Sequence, residues 1–495
     1  MYVSKYNIIF KTPEEEMIIF NPLWGAMDFI DQEEVDVLEK IKNSEDCYGE
    51  EETVAAFQEA GYVCMNEAIE NAKFAAEYQE FVQHMASMPE NFFIIPSYAC
   101  NLACVYCFQK EMEKKYEIIT DDVIDQVFRI IDTIRAERGN KGRPQMSIYG
   151  GEPLLDNKKQ IKAVKRILEE SQKRGFKKLI ITNGVTLKKF ATMLADAHID
   201  EVHVTLDGCR KVHDARRMMK GGQGTFDVIV EGIEAALEKG LQIHLRMVVD
   251  KNNLEALPDL LKFLDEKKWR DFPNFRMHVG RTYECGTVSI SAYKEKYYIS
   301  MVELLRYYAE HASQLKGVDF TFRRLRRTLY TGKAPSPLFS YCPSCTNEFV
   351  FDLRGDIYPC PGGCGDTQLR VGTFYPQVEY FDIFHKWRSR TILRIEKCQQ
   401  CDTALVCGGG CPLENVAEGK DIFEPACFPV KEEMQIGVNV LYPQLVQLAN
   451  QPQPAQEPCC GTENPQEVIS IDEKEKQPQC NCAEVKIIPL DEEEE

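Results

Sequence analysis

Twenty cysteines stand in this 495-residue chain, and all but Cys47, Cys64, Cys209 and Cys285 fall in four groups, at 100–107, 342–364, 398–427 and 459–482. No apolar run approaches the length of a membrane span, and the start, MYVSKYNIIFKTPEEE, lacks a signal-peptide layout. These features predict a cytoplasmic chain with no membrane partner. Thiols stay reduced in that compartment, so the groups read as metal ligands rather than disulfides. The net charge of −19, of which the last residues from Glu457 hold −9, argues against a nucleic-acid partner, because phosphate binding relies on basic patches.

The length predicts two or three domains plus extensions. Residues 6–10 and 17–20 pattern as strands around a polar turn at 12–16, and helical periodicity follows at 32–41, 51–60 and 68–85. From Asn91 strand and helix alternate. Strand-like runs at 92–96, 145–149, 178–182, 201–206, 243–249 and 275–279 are separated by amphipathic stretches at 121–138, 158–174, 187–197, 226–239 and 254–268, with another near 292–312. Six such units imply a parallel sheet, either doubly wound or curled into a partial barrel. Past Pro335 the pattern fades and Gly, Pro and Cys dominate, as expected where metal clusters rather than a large apolar core hold the backbone. After Tyr442 the chain turns Gln/Pro-rich and then acidic, which reads as a disordered tail.

Cys100, Cys104 and Cys107 form a C-x3-C-x2-C run just past the first strand of the alternating series. Three thiolates on one loop can hold three irons of a [4Fe–4S] cube and leave the fourth iron open; the spacing also suits a zinc knuckle or an electron-transfer cluster. Gly150-Gly151-Glu152-Pro153, Thr182-Asn183-Gly184 and Thr205-Leu206-Asp207-Gly208 follow the next three strands, then His213-Asp214-x-Arg216-Arg217 and Gly224-Thr225-Phe226, and Arg246 lies in the fifth strand. Each alone could be a turn or a cap. Together they line up at the C-terminal strand ends, where β/α folds build active sites.

This set, with Tyr106 before the third Cys, resembles the radical S-adenosylmethionine (SAM) superfamily. The resemblance implies that Cys100, Cys104 and Cys107 hold the cluster whose open iron chelates SAM, and that SAM is cleaved to a 5′-deoxyadenosyl radical. Gly150, Gly151, Glu152, Thr182, Asn183, Thr205, Asp207, Arg217 and Arg246 are the implied SAM-binding positions. For the two glycines, the expectation is that they let backbone approach the ligand.

Downstream, Cys345-x9-Gly355-x4-Cys360, Cys398-x2-Cys401-x5-Cys407-x3-Cys411 and Cys427 resemble the SPASM extension of peptide-modifying radical SAM enzymes, which holds two auxiliary [4Fe–4S] clusters. Carried over, the first cluster would use Cys342, Cys345, Cys360 and Cys411, and the second Cys398, Cys401, Cys407 and Cys427, making three [4Fe–4S] clusters in all. Cys364 is a spare thiol. Sulfatase-maturing relatives carry an Asp base directly after the position of Cys360; Pro361 stands here, with Asp366 nearby. Residues 6–41 resemble the winged-helix front of ribosomal-peptide maturases, which implies a precursor peptide whose leader adds as a strand near 8–10 or 17–20; a packing extension is the alternative.

The expected fold is therefore α/β: a partial (β/α)6 radical SAM barrel at 91–320, a winged-helix-like α+β domain at 1–90, a Cys-rich SPASM domain at 321–445 and the tail at 446–495. The expected activity is modification of a precursor peptide by Cys thioether cross-linking, with an external flavodoxin- or ferredoxin-type electron donor. Oxidation, epimerisation or carbon–carbon linkage is the enzymatic alternative, and an iron–sulfur electron-transfer or scaffold protein the non-enzymatic one.

Overall fold

Short apolar alternation builds the first sheet in the computed structural model, which describes residues 1–111, 117–281, 297–318, 325, 328–329 and 336–450. After β1 (Tyr2–Val3) come β2 (Ile8–Lys11), β3 (Met17–Asn21) and β4 (Ala26–Ile30), paired antiparallel in that order. Ile8, Phe10, Ile18 and Phe20 share one face and join the main core, while Met17 and Ile19 face a smaller cluster with Val37, Leu38 and Phe57. The sequence pattern missed β4, and β4 makes 17–20 the central strand, so it has no open edge for a leader. Helix α1 (Gln32–Lys42) starts at a capping box in which Asp31 accepts from the Glu34 amide at 2.8 Å and donates its own to Glu34 at 2.9 Å. Helix α2 (Glu51–Ala60), β5 (Val63–Cys64) and α3 (Glu67–Ser87) complete this part. Phe74, Tyr78 and Phe81 of α3 surround Phe339 of the later Cys-rich region.

Six parallel strands then pair strictly in chain order: β6 (Asn91–Ile95), β7 (Gln145–Ile148), β8 (Lys177–Ile181), β9 (Glu201–Thr205), β10 (Ile243–Val249) and β11 (Phe275–Arg281). A doubly wound sheet would reverse its order partway; unbroken order with right-handed crossovers keeps every helix on one face, and the sheet curls as a partial barrel. The crossovers are α4 (Asp121–Glu137), α5 (Lys158–Lys173), α6 (Leu187–Asp196), then α7 (Arg210–Arg216) with α8 (Phe226–Glu238), and α9 (Leu257–Glu266). Helix α10 (Met301–His311) follows, and 292–296 of the helix expected there lie outside the described residues.

The Cys-rich region is less irregular than its composition suggests. Strand β12 (Glu348–Asp352) pairs parallel to β6, and β13 (Asp356–Tyr358), β14 (Gly372–Thr373) and β15 (Glu379–Tyr380) extend the same sheet antiparallel. Phe349, Val350 and Phe351 are core residues, so apolar packing holds this part. A last helix, Val430–Ala449, runs past the Tyr442 boundary read from composition. Its Gln435 side-chain amide both donates to and accepts from the Lys11 backbone (2.6 and 3.3 Å), which caps that end of the β2 edge. Of the tail expected at 446–495, residues 446–449 belong to this helix, and 451–495 lie outside the described residues.

Candidate active site

The loop carrying Cys100, Cys104 and Cys107 leaves the end of β6 and is pinned by its own backbone. The Ala103 amide donates to Met218, Val105 to Arg216, and Lys220 to Asn101, at 2.8–3.0 Å. Burial raises the thiol pKa of Cys100 and of Cys104, and the Arg217 guanidinium pulls both the other way. The Leu102 amide also points at the Cys100 sulfur, at 3.4 Å. A positive charge and an amide aimed at these sulfurs favour the thiolate form that a metal requires.

Gly150 and Gly151 press against this same loop. A Cβ at Gly151 would lie 2.3 Å from the Ala99 carbonyl oxygen, and at Gly150, where φ is +133°, 2.6 Å from that of Ser97. Among the described residues, the contact that demands glycine is the cysteine loop itself. Glu152 is fully buried and its carboxylate is spent on protein: it accepts from the Leu154 amide (2.8 Å), the Thr182 hydroxyl (2.7 Å) and the Asn183 amide (2.6 Å). Asn183 in turn donates to Asn101 at 2.7 Å. The ends of β7 and β8 and the cysteine loop are thereby one hydrogen-bonded unit.

Asp207 is likewise buried, accepting from the Val248 amide at 3.1 Å and lying 3.5 Å from Arg216, which pairs with Asp250 at 2.8 Å. Arg217 donates to the Tyr106 hydroxyl at 2.7 Å, while its buried Nε has no hydrogen-bond partner among the described residues. A buried, unpaired guanidinium donor beside Cys104 fits an anionic guest, as a thiolate-bound cluster or the carboxylate of SAM would be. Thr205 and Arg246 stand opposite each other on β9 and β10.

Eight further cysteines gather in two sets. Cys398 feels Cys407, Cys401 and Cys427 as near negative neighbours, and with burial foremost its pKa is pushed up to about 12. Cys342 lies within hydrogen-bonding reach of Cys345 and close to Cys411, and Cys345, Cys360 and Cys411 meet in one small apolar cluster with Trp387 and Leu413. Cys364 joins neither set. It is fully buried in the main core, where the Gln109 amide points at its sulfur at 3.6 Å. Asp366 accepts from the Gln368 amide, capping the turn Thr367–Leu369.

Sequence reasoning missed Arg390. It is buried between the two cysteine sets and donates to the carbonyls of Ile422, Gly410, Gly409 and Glu424 at 2.6–3.0 Å. No spacing marks it; only the fold shows that a guanidinium sits there. Also missed were Glu201, His203, His244 and His278, which adjacent barrel strands bring together on one face.

A cysteine loop at the mouth of a partial (β/α)6 barrel defines the radical SAM class, and residues 94–264 match the Radical SAM superfamily. The chain carries a radical SAM domain, which in this family implies a [4Fe–4S] cluster and SAM. Among curated proteins it is 24% identical over 372 residues to a cysteine-type anaerobic sulfatase-maturating enzyme of Clostridium perfringens, covering 72% of this chain and 96% of that one. It is 29% identical over 172 residues to an Fe-coproporphyrin III synthase of Methanosarcina barkeri, covering 34% and 39%. Among solved structures, native anSMEcpe with bound AdoMet matches with TM-score 0.56 at 20% identity, over 73% of this chain and 99% of that one. Streptococcus suis SuiB bound to precursor peptide SuiA matches with TM-score 0.51 at 18% identity, over 87% and 99%. These likenesses establish a common fold. No helix among the described residues is long and apolar enough to cross a membrane.

Proposed function

We propose that this chain is a radical SAM maturase that cross-links a cysteine of a ribosomally made precursor peptide as a thioether. The observation that carries the reading is the gathering of eight further cysteines into two sets beyond the barrel, which a radical SAM core alone does not need. Cys100, Cys104 and Cys107 would hold the catalytic cluster; Cys342, Cys345, Cys360 and Cys411, and Cys398, Cys401, Cys407 and Cys427, the two auxiliary ones. Bound there, cluster and SAM supply one-electron cleavage of SAM and hydrogen abstraction from carbon. Arg217 would offer its unpaired Nε to the bound anion, and Glu152 and Asn183 fix the loop. Pro361 after Cys360 leaves no carboxylate where sulfatase-maturing relatives carry theirs, which favours cross-linking over oxidation to formylglycine.

The structures of anSMEcpe with bound AdoMet and Cp18Cys peptide and of SuiB with its precursor peptide support a peptide as the substrate class. The leader would add to β4, which pairs only with β3 among the described residues. The test is incubation of the reconstituted enzyme with SAM, reductant and a candidate precursor. The expected result is 5′-deoxyadenosine together with a peptide that has lost two hydrogens per bond and resists thiol reduction. Formation of 5′-deoxyadenosine with no change in any cysteine-containing precursor would overturn the thioether reading.

A further inference from the structure

Away from the cysteines, the inner face of the barrel carries a second cluster of ligand-type side chains. Strand alternation puts Glu201, His203 and Thr205 on one face of β9, and His244 and Arg246 on the matching face of β10, where His244 pairs with His203. The cluster thus lies one pleat repeat, about 7 Å, from Thr205 and Arg246, on the side away from the cysteine loop. Glu201 Oε2 is 3.0 Å from His203 Nε2, and His244 Nδ1 is 3.2 Å from that same nitrogen. All three ligand atoms lie within 4.8 Å of one another.

The proton count makes this convergence unusual. His278 Nδ1 lies 2.7 Å from His244 Nε2. If His244 donates there, its Nδ1 lone pair faces His203 Nε2. One hydrogen on His203 Nε2 can then serve Glu201, and the His244 lone pair is left without a proton of its own. In that tautomer three electron-pair donors converge with a single hydrogen among them.

We infer that Glu201, His203 and His244 form a binding site for a divalent zinc-type cation, with His278 as the outer partner that orients His244. A cation about 2.1 Å from each donor would set neighbouring donors between ~3.0 Å apart at a right angle and ~3.4 Å at the tetrahedral angle. The two distances from His203 Nε2, 3.0 and 3.2 Å, fall in that window, and one donor atom from each of the three residues lies within 4.8 Å of the others. Lys177 and Arg276 contact the other carboxylate oxygen, Oε1, at 3.1 and 2.5 Å, which turns Oε2 to the site. Two imidazoles and a carboxylate are a known zinc set, and a hydrogen bond from the other ring nitrogen of a ligating imidazole, here to His278, fixes its orientation. The site does not depend on the peptide reading, since none of its residues belongs to a cysteine set.

The test uses full-length enzyme loaded with iron and sulfide, incubated with zinc chloride and desalted. Elemental analysis is expected to find one zinc per chain at unchanged iron, and X-ray absorption to show only nitrogen and oxygen around it. His244→Ala and His203→Gln are each expected to lower zinc retention by about tenfold or more while iron stays constant. Zinc absent from the parent protein, zinc bound by sulfur, or retention unaffected by a variant that keeps its iron would each overturn the site. If both variants lose iron or fail to fold, the absorption spectrum of the parent protein alone decides.

Discussion

At Gly410 a methyl group would stand 1.9 Å from the Ala426 carbonyl oxygen, and φ there is +72°. This is where the run between Cys407 and Cys411 touches the segment that delivers Cys427, so the close approach positions one set of four sulfurs. Gly410→Ala is expected to displace Cys427 and lower iron by about one cluster in three, measured by iron analysis after reconstitution. His213 offers a second residue-scale test. Its Nδ1 accepts from the Asp207 amide, and burial foremost, then Arg217, pushes its pKa from 6.5 down to about 3. Folded His213 stays neutral while the unfolded ring takes a proton below 6.5. Its contribution is therefore complete above that pH and is lost as pH falls toward 3, by up to ~1.4 kcal/mol per pH unit. Denaturant melts at pH 7 and 5.5 should show a smaller stability loss for His213→Asn than for the parent. The cysteine positions were legible as residues because their spacing is local. Arg390 and the histidine cluster were not, because what brings them together is pairing between distant segments.

Among the elements, the strands and helices of the barrel could be read from their own periodicity to within a few residues; the helix read at 158–174, for example, runs Lys158–Lys173. Strands outside the barrel were read less well, and two of those missed show why. In β4, the segment AMDFI buries only Ile30, so its alternation is too weak to read. β12 has a clear apolar run, but its partner β6 lies some 257 positions away, as the contact between Asn91 and Glu348 shows, and no local pattern names that partner. β4 matters most for the leader proposal. Lys11 spends its backbone groups on Gln435, so they point away from β3. By antiparallel alternation Phe10 and Ile8 then face β3, and across it Met27 and Phe29 turn their backbone groups outward. Met27→Pro removes one outward amide without touching the sheet's own ladder. Affinity for a leader peptide, followed by fluorescence anisotropy, is expected to fall by about tenfold for the loss of that edge. Unchanged affinity in a folded Met27→Pro protein would move the leader away from this edge.

On the scale of the whole molecule, the three proposed cluster sites use separate residues, so they can be emptied separately. Cys104→Ala is expected to abolish 5′-deoxyadenosine formation while about two thirds of the iron remains. All eleven proposed ligands precede Asn450, whereas Cys459, Cys460, Cys480 and Cys482 follow it among Glu, Asp and Gln. A chain ended after Asn450 is therefore expected to keep its full iron content and its rate of 5′-deoxyadenosine formation. In the intact protein, mass spectrometry of the segment after Asn450, before and after incubation with SAM and reductant, asks a different question. An unchanged mass would make the segment a bystander to the chemistry. Loss of two hydrogens per cysteine, surviving thiol reduction, would mean that the enzyme cross-links its own C-terminal cysteines. The same loss in an equimolar mixture of truncated enzyme and free segment would show that the covalent connection is not needed.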